Sequence, residues 1–538
     1  MKNAAFFIYV YVFAVLPLVF TTAKTVSRKK LANIVFLKTL LKDYLRALPA
    51  CAMVSIPAIL WPGAAAAWAA ALHFIFAIPL CLELGHVHMF KTRVGLNTFY
   101  SLFVSNARET REFFAQNITW KQDLLILAVW LAPVPLLALY MPPVAFPSPY
   151  VRWGLLAACA ALIAAFVKNL TRPPLKRKDG YVMNPYTNLV YHYFLFRRNL
   201  KELKACIARH STEPFKGLEC ALPAGEGETL VVVIGESASS LHSSYCGYPR
   251  ETNEFTDRAG ERFMRFKGVR SPFSQTIPSL EKTITFADAA HPDYVYSKGS
   301  IIDYFNDAGF ETVWYSNQYA LDDTALTAMT AHAKTSRCFN FSGMKRFEKA
   351  GLDGEMLPEI EKLLASPAPG ARRAVFIHLI GSHSAYVNRY PDEFRHFTGP
   401  VPGRDLPRHK ADLVNSYDDS MRYTDWVVAS IAGILERAGG AAALLYFSDH
   451  GEDVYDSTDA KILGHSQLAN VPMTSIPFMV WTSRRYDELR PDIRERFARI
   501  GGGDVKCVEY NLQEAIHTII DLASLSSPDW DRSKSIFP

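Results

Sequence analysis

Glu236, Asn317, His383, Asp449 and His450 each follow closely on a short apolar run. Glu236 follows 229–234, Asn317 follows 312–315, His383 follows 374–380, and Asp449-His450 follows 442–447. Carboxylates and imidazoles without paired cysteines suit a borderline divalent ion, zinc first, with manganese or magnesium as second choices. Adjacent Asp449 and His450 can face one ion, and Glu236 can supply a third ligand. His383, and His465 in Leu463-Gly464-His465, offer partners for a second ion or a substrate phosphate. His378 lies inside an apolar run and reads as a core residue. His242, His332, His396 and His409 stand in no context that suggests chemistry.

A nucleophile is still needed. Ser271-Pro272-Phe273-Ser274-Gln275-Thr276-Ile277-Pro278-Ser279-Leu280 precedes a helical run. With Pro278 in the first turn, Thr276 falls at the helix N-terminus. Free amides and the helix dipole favour an anion there. A hydroxyl bound to a metal at that point can lose its proton and attack phosphorus. The plainer reading of Thr276 is a helix cap, and Ser274 and Ser279 are competing hydroxyls.

Near-continuous apolar runs alternate with helical stretches such as 300–308 and 417–438. This pattern indicates an α/β fold with a mostly parallel sheet covered on both faces. Ligands of such sheets bind beyond the carboxyl ends of the strands. The polar residues ending the four runs are therefore expected in one crevice.

The chain has 538 residues, room for three to four domain equivalents. Apolar residues are 49%, charged residues 20%, and mean hydropathy is +0.03, which excludes disordered, collagen-like, coiled-coil and disulfide mini-scaffold classes. A net charge of +6 gives no sign of a nucleic-acid partner.

Residues 1–168 differ from the rest. Uncharged runs at 4–23, 47–82, 124–142 and 153–167 predict five membrane helices, with the 36-residue run folded as a hairpin at Pro62-Gly63. Thr21-Thr22-Ala23 resembles a cleavage site, but the run before it exceeds a signal h-region and more spans follow, so a retained anchor is expected. The segments 85–122 and 168–204 mix basic and aromatic residues and suit the interface, with a solvated linker as the alternative for the second. Pro223-Ala224-Gly225-Glu226-Gly227 opens the soluble part. The expected division is a transmembrane domain at 1–168, interfacial helices and linker at 169–225, and a catalytic domain at 226–538.

The motifs carry a resemblance. Val231-Val232-Val233-Ile234-Gly235-Glu236-Ser237, Gly247-Tyr248-Pro249-Arg250-Glu251-Thr252-Asn253 and Ser448-Asp449-His450-Gly451-Glu452 resemble the phosphoethanolamine transferases of Gram-negative envelopes, in the alkaline phosphatase/sulfatase superfamily. Gln275-Thr276-Ile277-Pro278 and 448–456 look most like the lipopolysaccharide-core branch, with the lipid A branch second. The resemblance covers most of 225–525.

It implies a phosphatidylethanolamine donor, a covalent threonine intermediate at Thr276 and a lipopolysaccharide acceptor, either a core sugar or lipid A. It implies one or two zinc ions, with Glu236, Thr276, Asp449 and His450 as ligands. His383 and His465 would handle the phosphoryl group or a second zinc, and Asn317 would lie on the substrate side. It further implies a multi-pass inner-membrane protein with a periplasmic catalytic domain; separately, a monomer is expected. The loop 24–46 holds seven Lys/Arg against one Asp, and the positive-inside rule would place it, and with five spans the catalytic domain, in the cytoplasm. The resemblance demands the opposite side.

Two departures from the family pattern stand out. Ser271 to Leu280 holds no cysteine, and Leu321 and Asp322 stand where a lysine is expected after Asn317. Five cysteines lie outside the spans, an odd number, and the spacing of Cys206 and Cys220 permits a disulfide. Three rival readings share parts of this pattern. A sulfatase needs a modifiable Cys or Ser before x-Pro-x-Arg, whereas this chain reads Thr276-Ile277-Pro278-Ser279-Leu280. A phosphoglycerol transferase of the same fold would use phosphatidylglycerol. A non-enzymatic membrane scaffold would have no need of Glu236, Thr276, Asp449 and His450 together.

Overall fold

The computed structural model describes residues 5–12, 45, 48–49, 51–74, 81, 86, 124, 128, 131–170, 193–195, 197–198, 201–202, 205 and 214–538, apart from 224, 289, 293, 319–324, 340–350, 366–369, 458–462 and 466–468. The chain divides into two compact units: 1–105 with 114–199, and 106–113 with 200–538.

In the first unit, one described helix is long and apolar enough to cross a membrane: Pro149–Lys168 within α1 (Pro149–Leu170). Its proline sits at the start, where a missing N–H costs nothing. The helices Cys51–Leu60 and Pro62–Phe74 meet at a bend of 116°. Pro62 explains the break, since it cannot donate to the preceding turn. Arg152 donates to the carbonyls of Ile59 at 2.9 Å and Leu60 at 2.6 Å, satisfying groups at the end of the first arm. Of the expected run 124–142, the structure describes the helix Pro133–Tyr140. Most of 4–23, 85–122 and 169–204 lies outside the described residues, so the five-span count is not established. Cys206 lies outside them too, while Cys220 is a free thiol.

The second unit is built on eight strands: β1 Glu228–Gly235, β2 Phe263–Arg270, β3 Glu311–Ser316, β4 Thr335–Cys338, β5 Arg372–His378, β6 Ala441–Ser448, β7 Phe478–Thr482 and β8 Val505–Asn511. Their order in the sheet is β8-β2-β7-β6-β1-β5-β3-β4. β7 is antiparallel to both its neighbours, and every other pair is parallel. The sheet is therefore mixed, with the expected parallel core.

Leu230 to Ile234 in β1 are each at most 1% exposed. Alternate residues feed two cores, as strand geometry requires. Leu230, Val232 and Ile234 pack with Phe376, Phe447 and Ile519, whereas Val231 and Val233 pack with Ile377, Leu444 and Val427. Full burial of each such side chain contributes about 1.5–3 kcal/mol. The second core is covered by the long helix α3 (Arg408–Ala438), which buries Val427, Val428, Ile431 and Leu435. Layers on both faces leave the strand ends as the place for a ligand.

Candidate metal and nucleophile site

Strand register brings the carboxyl ends together. Gly235 lies opposite Ser448, and His378 lies opposite both Ile234 and Ser316. Glu236 and Asp449 thus emerge side by side from adjacent strands. Asp449 Oδ1 accepts from the amides of Ser237 at 3.2 Å and His450 at 2.7 Å, stapling the two strand ends together. Gly381, at φ +49°, closes over them. A Cβ there would stand 2.8 Å from the backbone N and O of Glu236, so only glycine fits.

Thr276 arrives from a third direction. β2 runs antiparallel to β7, which runs antiparallel to β6, so β2 ends at the same edge. Ser271 then donates its hydroxyl to the Asp449 carbonyl at 2.5 Å. The following turn leads to α2 (Thr276–Thr283), with Gln275 extended before it. Thr276 Oγ1 donates to Glu236 Oε2 at 3.0 Å and lies 3.5 Å from His450 Nε2. Of the competing hydroxyls, Ser279 donates to the Phe273 carbonyl at 3.1 Å and meets Ser271, holding the turn. Ser274 is buried at 3% exposure.

Glu236, Asp449 and His450 can direct one donor atom each into a common space, all within 4.8 Å of one another. His450 Nδ1 is 2.8 Å from the Gly451 carbonyl, which fixes that nitrogen as the donor. Nε2 is left facing Glu236 Oε1 at 3.2 Å and Asp449 Oδ2 at 3.6 Å. Asp449 Oδ2 is buried and finds no hydrogen-bond partner among the described residues. Two buried carboxylates and an imidazole nitrogen need a proton or a cation between them.

The titration behaviour follows. Burial raises the Asp449 carboxyl far above the usual range, and the Glu236 charge adds to it. Burial opposes ionisation of Glu236 too, but the hydrogen bond and charge of His450, with the charges of His383 and His378, hold it below the usual range. Burial disfavours the His450 cation, yet Asp449 and Glu236 lift its pKa to about 10. The donor set of two carboxylates, one imidazole and one hydroxyl fits zinc.

The other expected residues fall as follows. Asn317 is at the end of β3, but its amide nitrogen donates to the Gly351 carbonyl at 2.9 Å and Asp353 Oδ1 at 2.8 Å. Its neighbour Gln318 reaches the site instead, donating to Glu236 Oε2 at 3.2 Å and the Leu379 carbonyl at 2.7 Å. Asp353 also accepts from the amides of Ile380 and Gly381, tying the loops after β3 and β5 together. His383 is half-buried, and its Nδ1 has no hydrogen-bond partner among the described residues. His465 Nδ1 pairs with Glu452 Oε2 at 3.0 Å, and its ring lies 4.5 Å from that of His450. His450, Glu452 and His465 form a second potential ligand group. His378 is buried, and burial lowers its pKa to about 4.

Sequence reading missed Gln318, Asp353 and Glu452. Gln318 and Glu452 sit in the strand-end clusters, where position alone marks them. It also passed over His242, which the structure buries between Asp418, at 2.5 Å, and Asp456, at 3.1 Å. Arg250 and Tyr248 of the Gly247–Asn253 motif converge on the same Asp418. That motif therefore braces the scaffold against α3.

The sulfatase family pattern matches residues 228–525, more than half of the chain, and the protein belongs to that family. Among its relatives are phosphoethanolamine transferases. The chain is 28% identical over 503 residues to phosphoethanolamine transferase EptC of Escherichia coli, covering 89% of this chain and 84% of that protein. It is 28% identical over 507 residues to phosphoethanolamine transferase CptA of Salmonella typhimurium, with the same coverage of 89% and 84%. The crystal structure of the C-terminal periplasmic domain of EptC from Escherichia coli, in complex with Zn, superposes with a TM-score of 0.54 at 31% identity. The match covers 60% of this chain and 89% of that one. The integral membrane protein lipooligosaccharide phosphoethanolamine transferase A from Neisseria meningitidis matches with a TM-score of 0.69 at 17% identity. It covers 99% of this chain and 98% of that one, so the likeness in fold extends over the N-terminal unit as well as the second.

Proposed function

We propose that this protein transfers phosphoethanolamine from phosphatidylethanolamine to lipopolysaccharide, at a core sugar or lipid A, through a covalent intermediate on Thr276. One observation carries the reading: the half-buried Thr276 hydroxyl donates at 3.0 Å to a buried carboxylate beside the Asp449–His450 pair. The family membership supports it, since the relatives' names give this group and this reaction class.

Glu236, Asp449, His450 and Thr276 would hold a zinc ion, which when bound supplies positive charge that lowers the hydroxyl pKa and offsets the phosphodiester charge. Thr276 Oγ1, oriented by its hydrogen bond to Glu236 Oε2, attacks phosphorus in line and gives up its proton toward the departing diacylglycerol oxygen. The bond from phosphorus to the diacylglycerol oxygen breaks, and that oxygen takes up a proton. His383 and His465 would orient the phosphoryl oxygens, with Glu452 fixing the His465 ring. The acceptor oxygen then attacks the same phosphorus, the bond from phosphorus to Thr276 Oγ1 breaks, and the acceptor's proton passes to Oγ1. Two displacements let donor and acceptor use the site in turn. A membrane domain at 1–168 and a linker at 169–225 would keep the domain 226–538 at a lipid surface, in the periplasm of an inner-membrane protein, which raises the effective donor concentration.

Mass analysis of lipopolysaccharide from cells with and without the protein tests the reading. A phosphoethanolamine increment that depends on the protein is expected. A phosphoglycerol increment, or an unchanged profile, contradicts it.

A further inference from the structure

Helix α3 reaches the metal-ligand loop through one hydroxyl. Tyr417 is fully buried, and its Oη accepts from the Ser239 amide at 2.8 Å and donates to the Ser237 carbonyl at 2.8 Å. Its ring is held edge-on by His242 at 4.9 Å and Tyr386 at 5.0 Å. The two backbone groups it binds bracket the turn that follows Glu236. Ser237 has φ +57°, a left-handed conformation that a non-glycine residue keeps only when its surroundings enforce it. Ser237 in turn donates its hydroxyl to Glu236 Oε1 at 2.9 Å and its amide to Asp449 Oδ1. The orientation of the Glu236 carboxylate therefore depends on a strained turn, and Tyr417 is the clasp on that turn.

We propose that Tyr417 is a positioning residue that aims Glu236 at the Asp449–His450 pair and thereby sets the affinity of the site for a divalent ion. The proposal rests on the zinc reading above. Loss of groups that orient metal ligands typically costs 10–100-fold in metal affinity. Tyr248 supplies the comparison. Its hydroxyl also donates to α3, to Asp418 Oδ2 at 2.8 Å, and not to the backbone of 236–239.

The test measures zinc affinity of the full-length protein in detergent by competition with a chromophoric chelator, with melting of the metal-free protein alongside. Tyr417→Phe is expected to weaken zinc binding about 10-fold or more, and Tyr248→Phe to leave it within about twofold. Should Tyr417→Phe not fold, Ser237→Gly, which adopts a positive φ without strain and loosens the same turn, is expected to give the same loss. Wild-type affinity in Tyr417→Phe, or equal losses in Tyr417→Phe and Tyr248→Phe, overturns the proposal. A wild-type protein that binds no zinc overturns the metal reading on which it rests.

Discussion

Thr276 Oγ1 and Glu236 Oε2 lie 3.0 Å apart, although 40 residues separate them in the chain. One ends β1 and the other opens α2. Their meeting is arranged by the sheet, which turns β2 toward the same edge as β1, and by Ser271, which pins the intervening turn to the Asp449 backbone. A hydroxyl and a carboxylate so placed share a proton, and the remaining chemistry builds on that contact.

Glu236 Oε2 accepts from Gln318 as well as Thr276. Gln318 then steers which oxygen faces the nucleophile. Gln318→Ala is expected to lower the transfer rate about 10–100-fold without changing the fold, by analogy with other groups that orient ligands. Gln318→Glu should do more damage, because it sets a like charge beside a buried carboxylate. Turnover of a fluorescent phosphatidylethanolamine, compared with circular dichroism, reads both. Wild-type turnover in Gln318→Ala would remove this residue from the site.

Asp449→Ala and His450→Ala each delete one donor from a three-residue set that is at most 1% exposed. Zinc per protein, measured by atomic emission after dialysis, should fall from at least one to near zero in both. Full occupancy in both variants would contradict the ligand assignment.

His242 provides a pH signature away from the ligands. Burial disfavours its cation, but Asp418 and Asp456 raise its pKa to about 9. An unfolded histidine titrates near 6.5. The protonated pair therefore stabilises the fold fully below about pH 6.5, and that contribution is lost as pH rises through about 9. The gap corresponds to roughly 3 kcal/mol. Thermal melts from pH 6 to 10 should show wild type losing more stability than His242→Gln across that window. Parallel curves would show that His242 does not carry the charge.

The proposed orientation has its own test. A reporter active only outside the cytoplasm, fused after Pro538, should be active, and one active only inside should be silent. The reverse pattern would side with the basic loop 24–46 and against a periplasmic reaction.

The parallel core was legible because its strands are buried on both faces. Runs such as Leu230–Ile234 have no polar position, and each must stop where the chain leaves the sheet. Glu236, Asp449 and His450 stand at those stops. The antiparallel β7 was not legible. Phe478 to Thr482 is equally apolar, and nothing local to it reports strand direction. Asn317 and Gln318 show the limit at the site. Both follow β3, and only tertiary partners decide that Asn317 donates to Gly351 and Asp353 while Gln318 donates to Glu236. His242 was invisible for the same reason, since Asp418 is 176 residues distant.

The most direct test is to mix the purified full-length protein with phosphatidylethanolamine, quench it rapidly and map the peptides by mass spectrometry. One phosphoethanolamine group on the side chain of Thr276, absent in Thr276→Ala, is the predicted result. An adduct on Ser274, or continued transfer by Thr276→Ala, would contradict the account.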